Sequence, residues 1–210
     1  MPGPAPSDPQ STVTGADPVD PRRTALVALL DGHRPVDARE ARSLAVVRDA
    51  LATPGDPFDR HAGLTHVTAS GVVVGRRGVL LHRHRRLHRW MQPGGHLDPA
   101  ERPEDAVLRE CVEETGLVAA HPSTGPCLVH VDVHEAADAH VHLDLRYLVV
   151  GPDADPAPPP GESQEVGWFD WPEAVALADD ALAGALRSAR RLIDAGTVDV
   201  PGATAEEADG

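Results

Sequence analysis

Three glutamates, Glu110, Glu113 and Glu114, stand at positions i, i+3 and i+4 within the stretch GGHLDPAERPEDAVLRECVEETGL, residues 94–117. On a helix those positions share one face. Like charges at that spacing repel and weaken an isolated helix. A divalent cation would remove the conflict, because it neutralises carboxylates that otherwise oppose one another. Donors that are all oxygen suit a hard ion, Mg²⁺ or Mn²⁺. An ion held there suits hydrolysis of anionic phosphate linkages, which repel hydroxide until their charge is withdrawn.

These residues must be carried on a helix, and the flanking sequence supplies its ends. Pro103 fits a first helical turn and Gly116 fits the position just past the last, so the helix is predicted over 103–115. Before it, LTHVTASGVVV (64–74) and VLLH (79–82) read as strands joined by the turn GRRG. The segment RHRRLHRWMQPGG reads as a basic loop leading to the glutamates. After the helix, CLVHVDVH (127–134) and HVHLDLRYLVV (140–150) alternate with period two and form a second antiparallel pair. A loop over Glu135–Ala139 would set His134 opposite His140, Asp132 opposite His142 and His130 opposite Asp144. The valines and leucines of this pair would meet the core, leaving a polar face of histidines and acids. EVGWFDW reads as a short strand, and Pro172 opens a last helix running to about Ala195.

Two helices are expected ahead of this unit, over Pro21–Leu30 and, capped by Asp37, to about Ala52. The domain plan is therefore an arm at 1–20, a helical extension at 21–60, a main domain at 61–196 and a mobile tail at 197–210. The arm is rich in Pro, Asp, Ser and Thr, a composition that does not order itself.

The formal net charge of −14 argues against binding a nucleic-acid backbone. No apolar run approaches the roughly 18 residues of a membrane span, and the N-terminus lacks a signal-peptide pattern. The two cysteines, Cys111 and Cys127, make no CxxC, which fits a reducing cytoplasm.

Gly95, Glu101, Arg109-Glu110, Glu113-Glu114, Gly116 and the apolar Leu117 keep a spacing that resembles the Nudix box, the signature of the Nudix hydrolases. WMQPGGHLD leading in and EVGWFDW downstream are similar to that family's flanks. The resemblance implies an α/β fold, a Nudix-type α/β/α sandwich with a mixed sheet, here with an N-terminal helical extension. It implies Mg²⁺- or Mn²⁺-dependent hydrolysis of a diphosphate linkage in a nucleoside diphosphate joined to another moiety. Glu110, Glu113, Glu114 and the Gly95 carbonyl would hold the metal. Arg109 would hold a glutamate in place, and Glu101 would anchor the loop structurally by pairing with Arg109. Candidate substrate contacts are Arg83 in the basic loop, His96 beside the box glycine, and His134 and His142 on the His-rich hairpin. The expected partner is a small-molecule, nucleotide-type diphosphate rather than a nucleic acid or a membrane, and a homodimer is a candidate assembly.

Three other functions compete. A nucleotide-sensing module on the same fold would be expected to lose box glutamates, and this box keeps them. Isopentenyl diphosphate isomerase chemistry needs a cysteine ahead of the box, and none precedes Gly95. A transition-metal protein is suggested by twelve histidines, but their spacing gives no strong zinc signature.

Overall fold

The computed structural model describes residues 20–136 and 139–200. The expected arm therefore lies outside the described residues except for Asp20. That residue caps the first helix, its carboxylate accepting from the Arg22 N–H at 2.8 Å.

Among the described residues, twelve elements follow in chain order: α1 (Pro21–Gly32), α2 (Ala38–Ala52), β1 (Thr65–Gly75), β2 (Gly78–Arg83), β3 (Trp90–Met91), β4 (Gly94–His96), α3 (Pro103–Thr115), β5 (Cys127–Glu135), β6 (Val141–Val150), β7 (Val166–Phe169), α4 (Trp171–Leu177) and α5 (Asp180–Asp194). The strands form one mixed sheet along the order β3-β2-β1-β6-β5, with β4 paired to β1 and β7 to β2. β1 is the axis. One flank pairs parallel with β6 from Thr65↔Val141 to Val74↔Val150. Its other flank is shared: Thr68–Ser70 pair with β4, and Val73–Gly75 pair with β2.

Alternation along β1 sorts its side chains between two layers. Val67, Ala69 and Val73 face α1, α2 and α3, meeting Leu30, Val47, Val107 and Cys111. Val72 and Val74 face the opposite layer, where Leu182, Leu186 and Ile193 of α5 and Ala174 of α4 cover them. Gly71 lets α3 lie close, since a Cβ there would sit 3.1 Å from Val107 and 3.2 Å from the Cys111 sulfur. The helices and sheet thus make the expected three-layer α/β/α sandwich.

β5 ends the strand order, so its outer N–H groups have no partner strand. α2 lies against this edge and supplies side-chain acceptors. Glu40 accepts from the Val131 N–H at 2.9 Å, and the Ser43 hydroxyl accepts from the Val133 N–H at 3.1 Å. An edge capped this way cannot pair with another chain. Glu40 is fully buried and also accepts from the Val36 N–H, with the His33 ring at 2.6 Å. Burial opposes its charge, yet these hydrogen bonds outweigh it and hold its pKa below the usual carboxylate value.

Several expectations need correction. The basic segment is not all loop: Trp90–Met91 pair with β2 and Gly94–His96 with β1. The last helix is two, because Ala178 turns extended and Asp179 starts a new helix by accepting from the Leu182 N–H. The hairpin register also differs. His134 pairs with His142, Asp132 with Asp144 and His130 with Arg146, with a bulge between Leu128 and His130. β5 runs one residue further than expected, through Glu135, and the turn closes between Ala136 and His140. The inner part of this pair's polar face is covered, while His134 and His142 stay partly exposed. His130, Asp132, Asp144 and Arg146 are all buried, and α5 passes so close that a Cβ on Gly184 would lie 2.9 Å from the His130 ring. Arg146 ties the face together by donating to Asp144 at 2.8 Å and to Asp132 at 3.2 Å. Burial works against ionised Asp132, but His134, Arg146 and Arg39 hold its pKa well below the carboxylate range. Finally, the start of the expected tail is packed: Val198 and Val200 are buried with the α5 core, while residues 201–210 lie outside the described residues.

Candidate active site

α3 delivers the glutamates. Its apolar stripe, Ala106, Val107 and Cys111, is buried against the sheet and fixes the helix's rotation. Gly116 ends the helix in the left-handed conformation at φ 72°, and any Cβ there would strike the Ala157 carbonyl at 2.1 Å. With rotation and length set, Glu110 and Glu114 point at the turn that carries Gly94 and Gly95 on β4.

The contact is close. Glu114 accepts from the Gly94 N–H at 2.8 Å, and a Cβ on Gly95 would sit 2.5 Å from a Glu110 carboxylate oxygen. Glycine at 95 leaves the carboxylate its place, since a Cβ there would push the Glu110 carboxylate aside, while a Cβ on Gly94 would strike the β1 backbone at Ser70 and Ala69. Burial, offset in part by the Gly94 hydrogen bond and reinforced by Glu110, Glu162 and Glu113, pushes Glu114 up to about 8. Burial also raises Glu110, with Arg109 opposing it. His82, 3.7 Å from Glu114, is driven down to about 4 by burial and its neighbour His84.

Arg109 organises the rest. It donates twice to Glu101, at 2.9 Å each, and once to Glu110 at 2.9 Å, to Glu113 at 3.0 Å and to the His96 carbonyl at 2.8 Å. This planar fork pins the loop to α3, and the Glu101 bonds raise the arginine's pKa further. Glu101 also accepts from the Asp98 N–H at 2.8 Å, closing the loop on itself. Glu113 stands apart from the other two: 54% of its side chain is exposed, and it sits on the rim of the cluster.

The remaining candidates divide into two places. Arg83, with His84, Arg85 and His88, faces Pro160–Glu165 across a cleft of about 650 Å³. Arg83 spends part of its charge on Glu165, at 3.0 Å. Glu162, on the same cleft, is near enough to raise Glu114, so the cleft adjoins the glutamates. His96 and His142 lie elsewhere, on the sheet face opposite Gly95, their rings 5.1 Å apart. Burial lowers both to about 4. His134 sits beside them, 5.4 Å from His142, and its Nδ1 lies 3.0 Å from Asp132. His66 completes this group. The sequence reading did not single it out, because only the parallel register of β1 with β6 places it beside His142.

The oxygen donors suit a hard cation. Two partly buried, proton-seeking carboxylates converge where glycine leaves room, and the nearest guanidinium serves only one edge of the group. Among the described residues, no helix is long and apolar enough to cross a membrane.

Comparison with known proteins shows the family. A family model described as the NUDIX domain matches residues 64–192. A curated relative, an RNA pyrophosphohydrolase from Bartonella henselae, is 42% identical over 98 residues. That match covers 45% of this chain and spans only half the length of the relative. Among solved structures, a NUDIX-family hydrolase from Clostridium perfringens is 25% identical with a TM-score of 0.53, covering 60% of this chain and 97% of that one. A C. elegans Ap4A hydrolase complex shares the fold at 24% identity and a TM-score of 0.51, covering 62% of this chain and 98% of that one. The matched region holds the whole glutamate cluster, its arginine and the strands that carry the glycines, and the chain belongs to the NUDIX-domain family.

Proposed function

We propose that the protein hydrolyses a diphosphate linkage in a nucleoside diphosphate joined to another moiety, using Mg²⁺ or Mn²⁺. The observation that carries this reading is the partly buried Glu110–Glu114 pair closing on Gly94 and Gly95. Burying two carboxylates side by side is costly unless a cation joins them. Glu110, Glu114 and the Gly95 carbonyl would hold it, with Glu113 reaching in from the rim. The ion would withdraw charge from the diphosphate and make its phosphorus open to attack by water.

The chain's own groups divide the remaining work. Arg109 holds Glu110 and Glu113 in position, and Glu101 holds Arg109. Arg83, Arg85 and His88 offer donors to the anionic substrate across the adjoining cleft. The name of the Bartonella relative fits pyrophosphohydrolase chemistry, while the net charge of −14 favours a small substrate over a polynucleotide.

The test is product release with Mg²⁺ from a panel of sugar nucleotides, dinucleoside polyphosphates, oxidised nucleotides, coenzyme-like diphosphates and 5′-triphosphorylated RNA. Mg²⁺-dependent cleavage of a small diphosphate is expected. Tight binding without cleavage of any member would replace this reading with a nucleotide sensor.

A further inference from the structure

We propose that His66, His96 and His142 form a second metal site, one that takes a nitrogen-seeking cation of the Zn²⁺ class and is separate from the glutamate cluster. The three residues come from neighbouring strands. His66 on β1 pairs with His142 on β6, and His96 on β4 pairs with Thr68, two residues along β1. Side chains two apart on a strand share a face, so all three imidazoles rise from the same side of the sheet. Gly95, one residue from His96, falls on the opposite side with the glutamates.

The rings form a nearly equilateral triangle. Their centroids are 5.0 Å apart for His66–His96, 5.0 Å for His66–His142 and 5.1 Å for His96–His142. Three imidazoles bound tetrahedrally to zinc have centroids about 5.2 Å apart, given Zn–N distances of roughly 2.05 Å. One ring nitrogen of each already lies within 4.8 Å of the others. A tetrahedral site needs them at roughly 3.3 Å, so binding would turn the rings inward.

His66 supplies an independent observation. It is 1% exposed, and neither ring nitrogen makes a hydrogen bond among the described residues. The Gly63 backbone lies beside the ring without meeting hydrogen-bond geometry. A polar side chain buried this deeply is ordinarily satisfied, and a cation at the centre of the triangle would take up one of its two nitrogens. Asp144, the carboxylate that acts on His142, is already engaged by Thr68, Ser70 and Arg146. Imidazole is therefore the only donor offered here among the described residues, which favours Zn²⁺ over Mg²⁺. His96 and His142 are half-buried, so a fourth position would open toward solvent, as in sites that exchange a ligand.

Co²⁺ tests this directly, because its visible absorption reports a tetrahedral nitrogen site. The full-length protein, stripped of metal, is titrated with Co²⁺ and then with Zn²⁺, each in the presence of excess Mg²⁺. One equivalent of Co²⁺ with intense visible bands, displaced by Zn²⁺ and not by Mg²⁺, is the expected result. His142→Ala and His96→Gln should each weaken binding at least about a hundredfold, more than the loss of an outer-shell partner costs. The double variant Glu110→Gln/Glu114→Gln should bind as wild type. Absence of stoichiometric uptake, uptake untouched by either histidine variant, or uptake lost with the glutamates would each overturn the proposal.

Discussion

Glu114 carries a conflict that can be measured. Its pKa in the folded, metal-free protein is raised to about 8, mainly by burial. For a carboxylate shifted upward, folding favours the protonated form. The stability it contributes is present below its ordinary pKa near 4.5 and is lost as pH rises through about 8. Metal-free protein should therefore melt lower at pH 8.5 than at pH 5.5, and Mg²⁺ should restore most of the loss at the higher pH. Glu114→Gln should remove the charge, raise the metal-free melting temperature at pH 8.5 by about 4 °C or more, and abolish the response to Mg²⁺. The same variant should lower turnover at least about a hundredfold. Thermal unfolding at both pH values, with and without Mg²⁺, reads the first pair of effects. A Glu114→Gln protein that still gains stability from Mg²⁺ would place the cation elsewhere. Glu101→Gln should behave differently: it loosens the Arg109 fork, so melting temperature falls while turnover changes less than for Glu114→Gln. The convergence of Glu110, Glu114, Arg109 and Glu101 was legible because one helix and its leading loop bring them together, and local spacing encodes that. His66 was illegible for the opposite reason, since its neighbours come from residues 96 and 142 and only sheet register joins them.

At the level of elements, sequence signals succeeded where capping and periodicity are local. Pro103 and Gly116 marked the ends of α3, and Asp37 marked the start of α2. They failed where two local signals compete or where pairing decides. Pro172 was read as opening one long helix, but Asp179 caps a second. The hairpin faces were assigned correctly by alternation, yet the turn fixed a different register. Alternation also cannot say whether a polar face meets water or another layer. Here α5 covers it, and Arg146, Asp132 and Asp144 become a buried ion network. Arg146→Ala should cost about 3–5 kcal/mol, because it leaves buried Asp144 without its cation and takes from Asp132 one of the two arginines that it pairs with. Chemical denaturation with an unchanged slope would check it. The docking of α2 makes a companion case. Glu40→Ala would leave the Val36 and Val131 N–H groups without acceptors, at about 1–3 kcal/mol each. Denaturation that shows less than about 1 kcal/mol of loss would mean that water reaches these groups and that α2 does not seal the edge.

For the whole molecule, the question is whether the residues ahead of the family match are an accessory or part of the core. The match begins at residue 64, after α1 and α2. Yet Leu26, Leu30, Leu44, Val47, Leu51 and Phe58 are all buried in the same cluster as Val107 and Leu143. At roughly 1.5–3 kcal/mol per buried apolar side chain, these residues contribute on the order of 10 kcal/mol. That is comparable with the entire net stability of a typical domain, about 5–15 kcal/mol. The same segment supplies Glu40 and Ser43 to the β5 edge, so its loss exposes both an apolar face and unpaired strand groups. Deleting residues 1–60 should therefore yield a protein that aggregates on expression, even though every box residue remains. Deleting residues 1–19 keeps the Asp20 cap and both helices, and the polar composition of that stretch predicts melting temperature and turnover close to wild type. Size-exclusion chromatography and thermal unfolding of the two truncations separate the cases. A soluble, active product of the longer deletion would show that the NUDIX region folds without its N-terminal cover, and that α1 and α2 pack on a surface already stable alone.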